Sequence, residues 1–223
     1  MRQGLLLKPC RYFSIVRMYW LVISILVILS PLAHASNRQV LGYTILPESR
    51  IAISGSTNVS RFACLSINES PAGSFILEET TPHGRSLRFR DADLTLSVSS
   101  FDCGHKVMNR DMHQAMGGKQ FPYINIKIIE ATNIHFNSET GCGTARVSVA
   151  ITLNGKTRHS VMQIHYQSRN SNRFSFEASK KMRMSDFGVI PPSPALGLVR
   201  VNDEVTISLN LQVQTGMLGA NSR

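Results

Sequence analysis

Apolar and polar residues alternate along most of the chain beyond Ser36. In "EVTISLNLQV", 204–213, Val205, Ile207, Leu209, Leu211 and Val213 share one face while Thr206, Ser208, Asn210 and Gln212 share the other. "RVSVAITL" repeats the pattern with Val147, Val149, Ile151 and Leu153, "DLTLSV" with Leu94, Leu96 and Val98, and "NRFSFEA" with Phe174, Phe176 and Ala178. Period-two alternation of this kind predicts half-buried antiparallel strands. Asn154-Gly155 lies between two such runs and predicts a tight hairpin, because a type I′ turn needs two residues at positive φ. "SRNSN", 168–172, predicts a second hairpin loop and "SPAG", 70–73, a third turn. About eight strands at this spacing predict an all-β domain, a sandwich or a barrel.

One segment departs from the pattern. In "HKVMNRDMHQAM", 105–116, Val107 or Met108, Met112 and Ala115 or Met116 recur at helical spacing, and Gly117-Gly118 ends the run. A single short helix among many strands most simply plugs one end of a barrel with its methionine-rich face. "IPPSPALG", 190–197, is an irregular insert whose prolines cannot sit in a central strand.

Ahead of this region, residues 1–18 carry four basic residues and no acid. The apolar run "YWLVISILVILS" and then Ala33-His34-Ala35 follow. That order predicts a secretory signal peptide over 1–35 and a single exported domain over 36–223, periplasmic or secreted. The apolar run is short of the roughly 20 residues that span a bilayer, so no transmembrane span is expected after cleavage. Of the formal charge of +10, four positive charges lie in the leader, leaving +6 for the domain. The densest basic patch, "SKKMRM", has three cations and no arginine–aromatic motif accompanies it, which disfavours nucleic acid as a partner. Anionic lipid or surface polymers suit a diffuse positive charge better.

Catalytic signatures are lacking. The sequence holds no G-x-S-x-G, H-E-x-x-H, S-x-x-K or C-x-x-C pattern. His105 and His113 are eight apart rather than four, so with Asp102 or Asp111 they make a weak metal set, and structural roles for both are favoured. Neighbours Arg110 and Asp111 point about 100° apart on a helix, so each is expected to tie the helix to other elements. No enzyme, cofactor or metal is expected.

"MNRDMHQAMGGKQFPYINIKI", 108–128, resembles the central signature of the YceI-like, polyisoprenoid-binding family: Arg110, Asp111 and His113 on a short helix, then Phe121, Pro122 and Ile124 leading a strand. "VSVAITLNGKTR", "SDFGV" and "VNDEVTISLNLQV" resemble later segments of that family in the same order. The family's opening Trp and His-Ser pair are missing, and "SRIAISGSTNVSRFACLSI" stands in their place, as in a divergent cysteine-bearing branch.

The resemblance implies an eight-stranded, antiparallel, lipocalin-like β-barrel with one short helix, holding an isoprenoid or similar long-chain lipid without catalysis. Phe174, Phe176, Met182, Met184, Ile207 and Leu209 are the expected lumen residues, and Lys106 and Arg110 the cations expected at a phosphate-bearing head. The alternatives are a filled barrel whose basic surface binds envelope polymers or a partner protein, and a secreted hydrolase or metal protein using His105, Asp111 and His113. Three cysteines follow the leader, and an oxidising compartment favours one bond. Cys64 after the opening strand and Cys103 just before the helix are the expected pair, closing a loop of about 40 residues, with Cys142 left as a thiol in its Gly-flanked turn.

Overall fold

The computed structural model describes residues 38–217 apart from 68–69, 82–84 and 194, so the expected leader and its boundary lie outside the described residues. The strands are β1 (Arg38–Ile45), β2 (Arg50–Thr57), β3 (Arg61–Ser66), β4 (Ala72–Glu79), β5 (Leu87–Arg90), β6 (Asp93–Ser97) and β7 (Phe101–Asp102). The helix α1 (Lys106–Ala115) follows, then β8 (Tyr123–Asn137), β9 (Cys142–Leu153), β10 (Lys156–Asn170), β11 (Arg173–Arg183) and β12 (Val201–Met217).

All strands join one antiparallel sheet, and eight of them close a ring in the order β1-β4-β5-β8-β9-β10-β11-β12, because β1 pairs with both β4 and β12. The expected eight-stranded barrel is therefore present, although the sheet has 12 strands. The additional ones arise where long strands change partners. The second half of β12 pairs with β1 and its first half with β2, which leads on through β3 to β7 as a flap. The start of β8 likewise pairs with β6 before the strand moves on to β5.

Asn154 and Gly155 have φ of 50° and 69° and join β9 to β10 by the two-residue hairpin the sequence predicts. The turn expected at 70–73 is a correction: Ala72 and Gly73 are already in β4, opposite Thr44 and Tyr43. There the small residues accommodate the Tyr43 ring, which lies against the Gly73 backbone.

The bond between Cys64 and Cys103 is formed and Cys142 is an exposed thiol, as expected. Leu65 opposes Asp102, so continuing the register by one pair brings Cys64 to Cys103. Around this bond lie Leu96, Val98 and Phe101, buried to 1–2% exposure. Met116, just past α1, joins this cluster and Met112 packs on it, so the helix lies with its methionines against this end of the barrel. Gly117 at φ 94° ends the helix in a conformation that L side chains rarely adopt.

The wall is not uniformly paired. β10 and β11 are in register only from Ile164↔Ala178 to Asn170↔Arg173. Beyond that, residues 156–163 of β10 pair with β9 alone and residues 179–183 of β11 with β12 alone. The two strands part toward the helix end. A 3-10 turn, Met184–Phe187, touches β10, β11 and β12 there, with Phe187 and Val189 buried at 3% and 2%. Asn154 at the hairpin tip donates Nδ2–H to the carbonyls of Phe187 and Gly188 at 3.4 and 3.3 Å, fixing this plug.

Candidate functional site

Directly paired residues of antiparallel strands share a face, so the register identifies the lining of the barrel. One row runs Ala145, Ile164, Ala178, Leu209, Ile51, and the next Gly143, Tyr166, Phe176, Leu211. Ala145 belongs to the buried cluster with Ala131, Val147, Val149 and Met162, and Ile164, Tyr166, Ala178 and Leu209 pack on it, so these rows face inward.

The inner face is apolar but incompletely covered. Ile126, Ile151, Ile164 and Leu209 are half-buried although paired strands flank them on both sides. Two chains of rings line it, Tyr43–Phe75–Phe89 and Phe136–Tyr166–Phe176–Phe174, with successive centroids 5.8–6.3 Å apart. None of these seven rings is buried, and Phe136, at the rim opposite the helix, is 55% exposed. The two tyrosines put their hydroxyls on backbone: Tyr43 donates to the Asp93 carbonyl at 2.6 Å and Tyr166 to that of His135 at 3.3 Å. Partial burial raises the phenol pKa of both, with the nearby Asp93 charge adding to the rise at Tyr43.

Of the expected lumen residues, Phe174, Phe176, Met182, Ile207 and Leu209 lie on the inner register, opposite Val213, Leu211, Val205, Lys180 and Ala178 respectively. Met184 lies past the end of β11, at the start of the 3-10 turn. The alternation also carries Lys180 to the inner face, between Ala178 and Met182, a position that the expected lumen set left out. Its ammonium donates to the Val161 carbonyl at 3.1 Å, an acceptor that β11 leaves unpaired where it parts from β10. The residue was readable in the sequence; the parting of the strands that gives it a partner was not.

The charged helix is engaged structurally. His105 caps its start, Nδ1 accepting from Val107 N at 3.3 Å, and His113 donates Nε2–H to the Phe101 carbonyl at 2.9 Å. Asn109 receives Cys103 N at 2.7 Å and donates to Asp102 at 2.8 Å, holding α1 onto β7 beside the disulfide. That bond, with the Gly104 N–H, keeps the Asp102 carboxyl below its ordinary pKa. Arg110 corrects an expectation: instead of reaching another element, it pairs with its neighbour Asp111 at 3.0 Å. An exposed pair of this kind contributes at most about 1 kcal/mol. Lys106 is exposed beside it.

Two openings adjoin the lumen. A cleft of about 560 Å³ at the rim opposite the helix is lined by Phe136 and Tyr166 of the inner face and by His135, Thr144, His165 and Glu177 of the outer. A second, of about 360 Å³, lies where β12 exchanges β1 for β2, between Ile45, Ile51, Leu65, Ile67 and Leu96. Among the described residues, no three His, Cys, Asp or Glu side chains converge as a metal site would require.

A closed antiparallel barrel of eight strands, plugged at one end by a helix and lined with half-covered apolar side chains, defines a lipocalin-like protein. Residues 52–213 match the model of the YceI-like domain, and the chain belongs to that family. A polyisoprenoid binding domain from Saccharophagus degradans has a similar fold, with a TM-score of 0.54 at 11% identity over 78% of this chain and 98% of that one. Burkholderia cenocepacia BcnA matches at 18% identity with a TM-score of 0.46, over 74% and 96%, and the YceI protein of Campylobacter jejuni at 13% and 0.40, over 56% and 71%. No curated protein matches the chain.

Proposed function

We propose that this protein is an exported carrier that holds an isoprenoid or similar long-chain lipid in the barrel lumen and performs no catalysis. The observation that carries this reading is the incompletely covered apolar inner face. Ile126, Ile164 and Leu209 are flanked by paired strands on both sides and face inward, so the surface they expose borders the lumen. A barrel filled by its own side chains would cover them. An apolar chain laid along these rows gains about 0.8 kcal/mol per buried CH₂ before ordering costs. Family membership and the polyisoprenoid-binding neighbour support the choice of ligand class. The phosphate-bearing end of such a ligand is assigned to the helix end, beside Lys106 and Arg110.

The deciding experiment is mass spectrometry of the organic extract of natively purified protein, with the melting temperature measured with and without added polyprenyl phosphate. A co-purifying lipid and a ligand-dependent rise support the carrier. An extract free of lipid and an unmoved melting temperature would favour the filled barrel. In a Lys106→Gln/Arg110→Gln protein, an undiminished preference for polyprenyl phosphate over the free alcohol would remove the head-group assignment alone.

A further inference from the structure

The helix end of the barrel carries a set of large apolar side chains that the fold leaves uncovered. Val59 in the β2–β3 turn is 69% exposed, and in the insert before β12 Ile190, Leu196 and Leu198 are 83%, 104% and 76% exposed. Val107 and Met108 of α1, at 45% and 38%, belong to the same end. Scattered exposed aliphatics are ordinary, but large ones on neighbouring loops mark a contact surface.

These loops are built rather than slack. Asn58 donates Nδ2–H to the Leu198 carbonyl at 3.0 Å and its backbone N–H to the Arg200 carbonyl at 3.1 Å, while Arg200 N donates to Asn58 Oδ1 at 2.8 Å. Asn202 bonds to Ser56 at 2.9 Å. Leu196 is held at φ 56°, a region a branched side chain rarely adopts, and this conformation leaves it fully exposed.

Charge decides among the occupants of this surface. No acidic residue occurs in 187–202 or in 50–67, where Arg61 and Arg200 flank the apolar side chains; of the acids that border the insert, Asp203 is bonded by Ser185 and Glu204 by Lys181. Aliphatic loop tips rimmed by arginine suit the interface of an anionic bilayer, which solvates the side chains in its acyl boundary and the guanidinium groups among its phosphates.

We propose that Val59, Leu196 and Leu198, with Arg61 and Arg200, form a docking surface for an anionic lipid bilayer, presenting the helix end of the barrel to the membrane. The proposal goes beyond the carrier reading, and the surface is argued independently of the lumen.

The test places a tryptophan at Leu198, in the full chain with Trp20→Phe so that the new indole is the sole one. A Met217→Trp protein, with its reporter at the opposite rim, serves as control. Vesicles of phosphatidylglycerol carrying brominated acyl chains are expected to blue-shift and quench the Leu198→Trp emission and to leave the control unchanged. Leu196→Ser/Leu198→Ser is expected to lower partitioning about tenfold or more, and each of Arg61→Gln and Arg200→Gln about fivefold. The proposal is overturned by no quenching at 198, by equal quenching at 198 and 217, or by a concentration-dependent blue shift without vesicles, which would assign the surface to a second copy of the chain. Lipid analysis of the same preparations separates the two readings. Bound lipid without quenching sinks only the docking surface, and quenching without bound lipid sinks only the carrier.

Discussion

The two ends of this barrel differ in how completely the chain covers its own apolar surface. At the helix end Leu96, Val98, Phe101 and Cys64 are sealed to 1–2% exposure by the flap, the disulfide and the methionines of α1. Toward the other end Tyr166, Phe174 and Phe176 share the inner face, and none is sealed. The first region is a core that folding alone completes. The second is a lining whose remaining exposed area is available to a ligand.

The sharpest way to break this contrast is truncation in each region. Phe101→Ala at the sealed end is expected to cost about 3–5 kcal/mol by chemical denaturation, with or without lipid. Opening the disulfide by Cys64→Ser/Cys103→Ser comes next, at about 2–4 kcal/mol for a separation of 39 residues, read as a lowered urea midpoint. In the lining, Phe176→Ala is expected to cost only about 1–2 kcal/mol in lipid-free protein, since the ring is only partly covered. Its larger effect should be on the ligand-dependent rise in melting temperature. If Phe176→Ala destabilised the lipid-free protein as much as Phe101→Ala does, the contrast between the two ends would fail.

The smallest effect concerns pH and belongs to the sealed end. Asp102, bonded to Asn109 and Gly104, and Asp203, bonded by the Ser185 hydroxyl and N–H at 2.5 and 2.8 Å, both have carboxyl pKa values lowered by folding. A lowered folded value means the stabilisation is complete above the ordinary carboxylate pKa and disappears as the pH falls through the folded one. Urea midpoints measured from neutral to acid pH are expected to fall less steeply in Asp102→Asn than in the parent. An unchanged slope would mean that this bond does not hold the helix.

The strands of the barrel were largely legible because alternation is a local property. Val205 to Val213 and Val147 to Leu153 face as their periodicity requires. The partner exchanges along β8 and β12 were not legible, since one uninterrupted alternation serves two neighbours equally well. β7, with two residues, is too short to leave a pattern. The helix and its methionine face were readable from spacing, but the Arg110–Asp111 pair was not, because adjacent long side chains can bend toward each other across the angle that separates their Cβ atoms. The exposed aliphatics of 190–198 sit in a proline-rich insert whose irregularity was plain and whose surface was not.

The ring closes by joining its first strand to its last, Leu41–Ile45 against Val213–Met217. This contact spans nearly the whole described chain, and pairing at such separation makes closure a late and slow event in folding. A polypeptide emerging with its amino terminus first can pair one edge of β1 with β4 early, but has no partner for the other edge until almost all of it has emerged. The bond between Cys64 and Cys103 needs less than half of that length and can form well before. Folding thus acquires an order in time: the stapled end organises while synthesis continues, and the closed barrel exists only once the final strand arrives. Removing residues 213–217 would leave β1 without its β12 partner and the ring open, however intact the rest of the molecule.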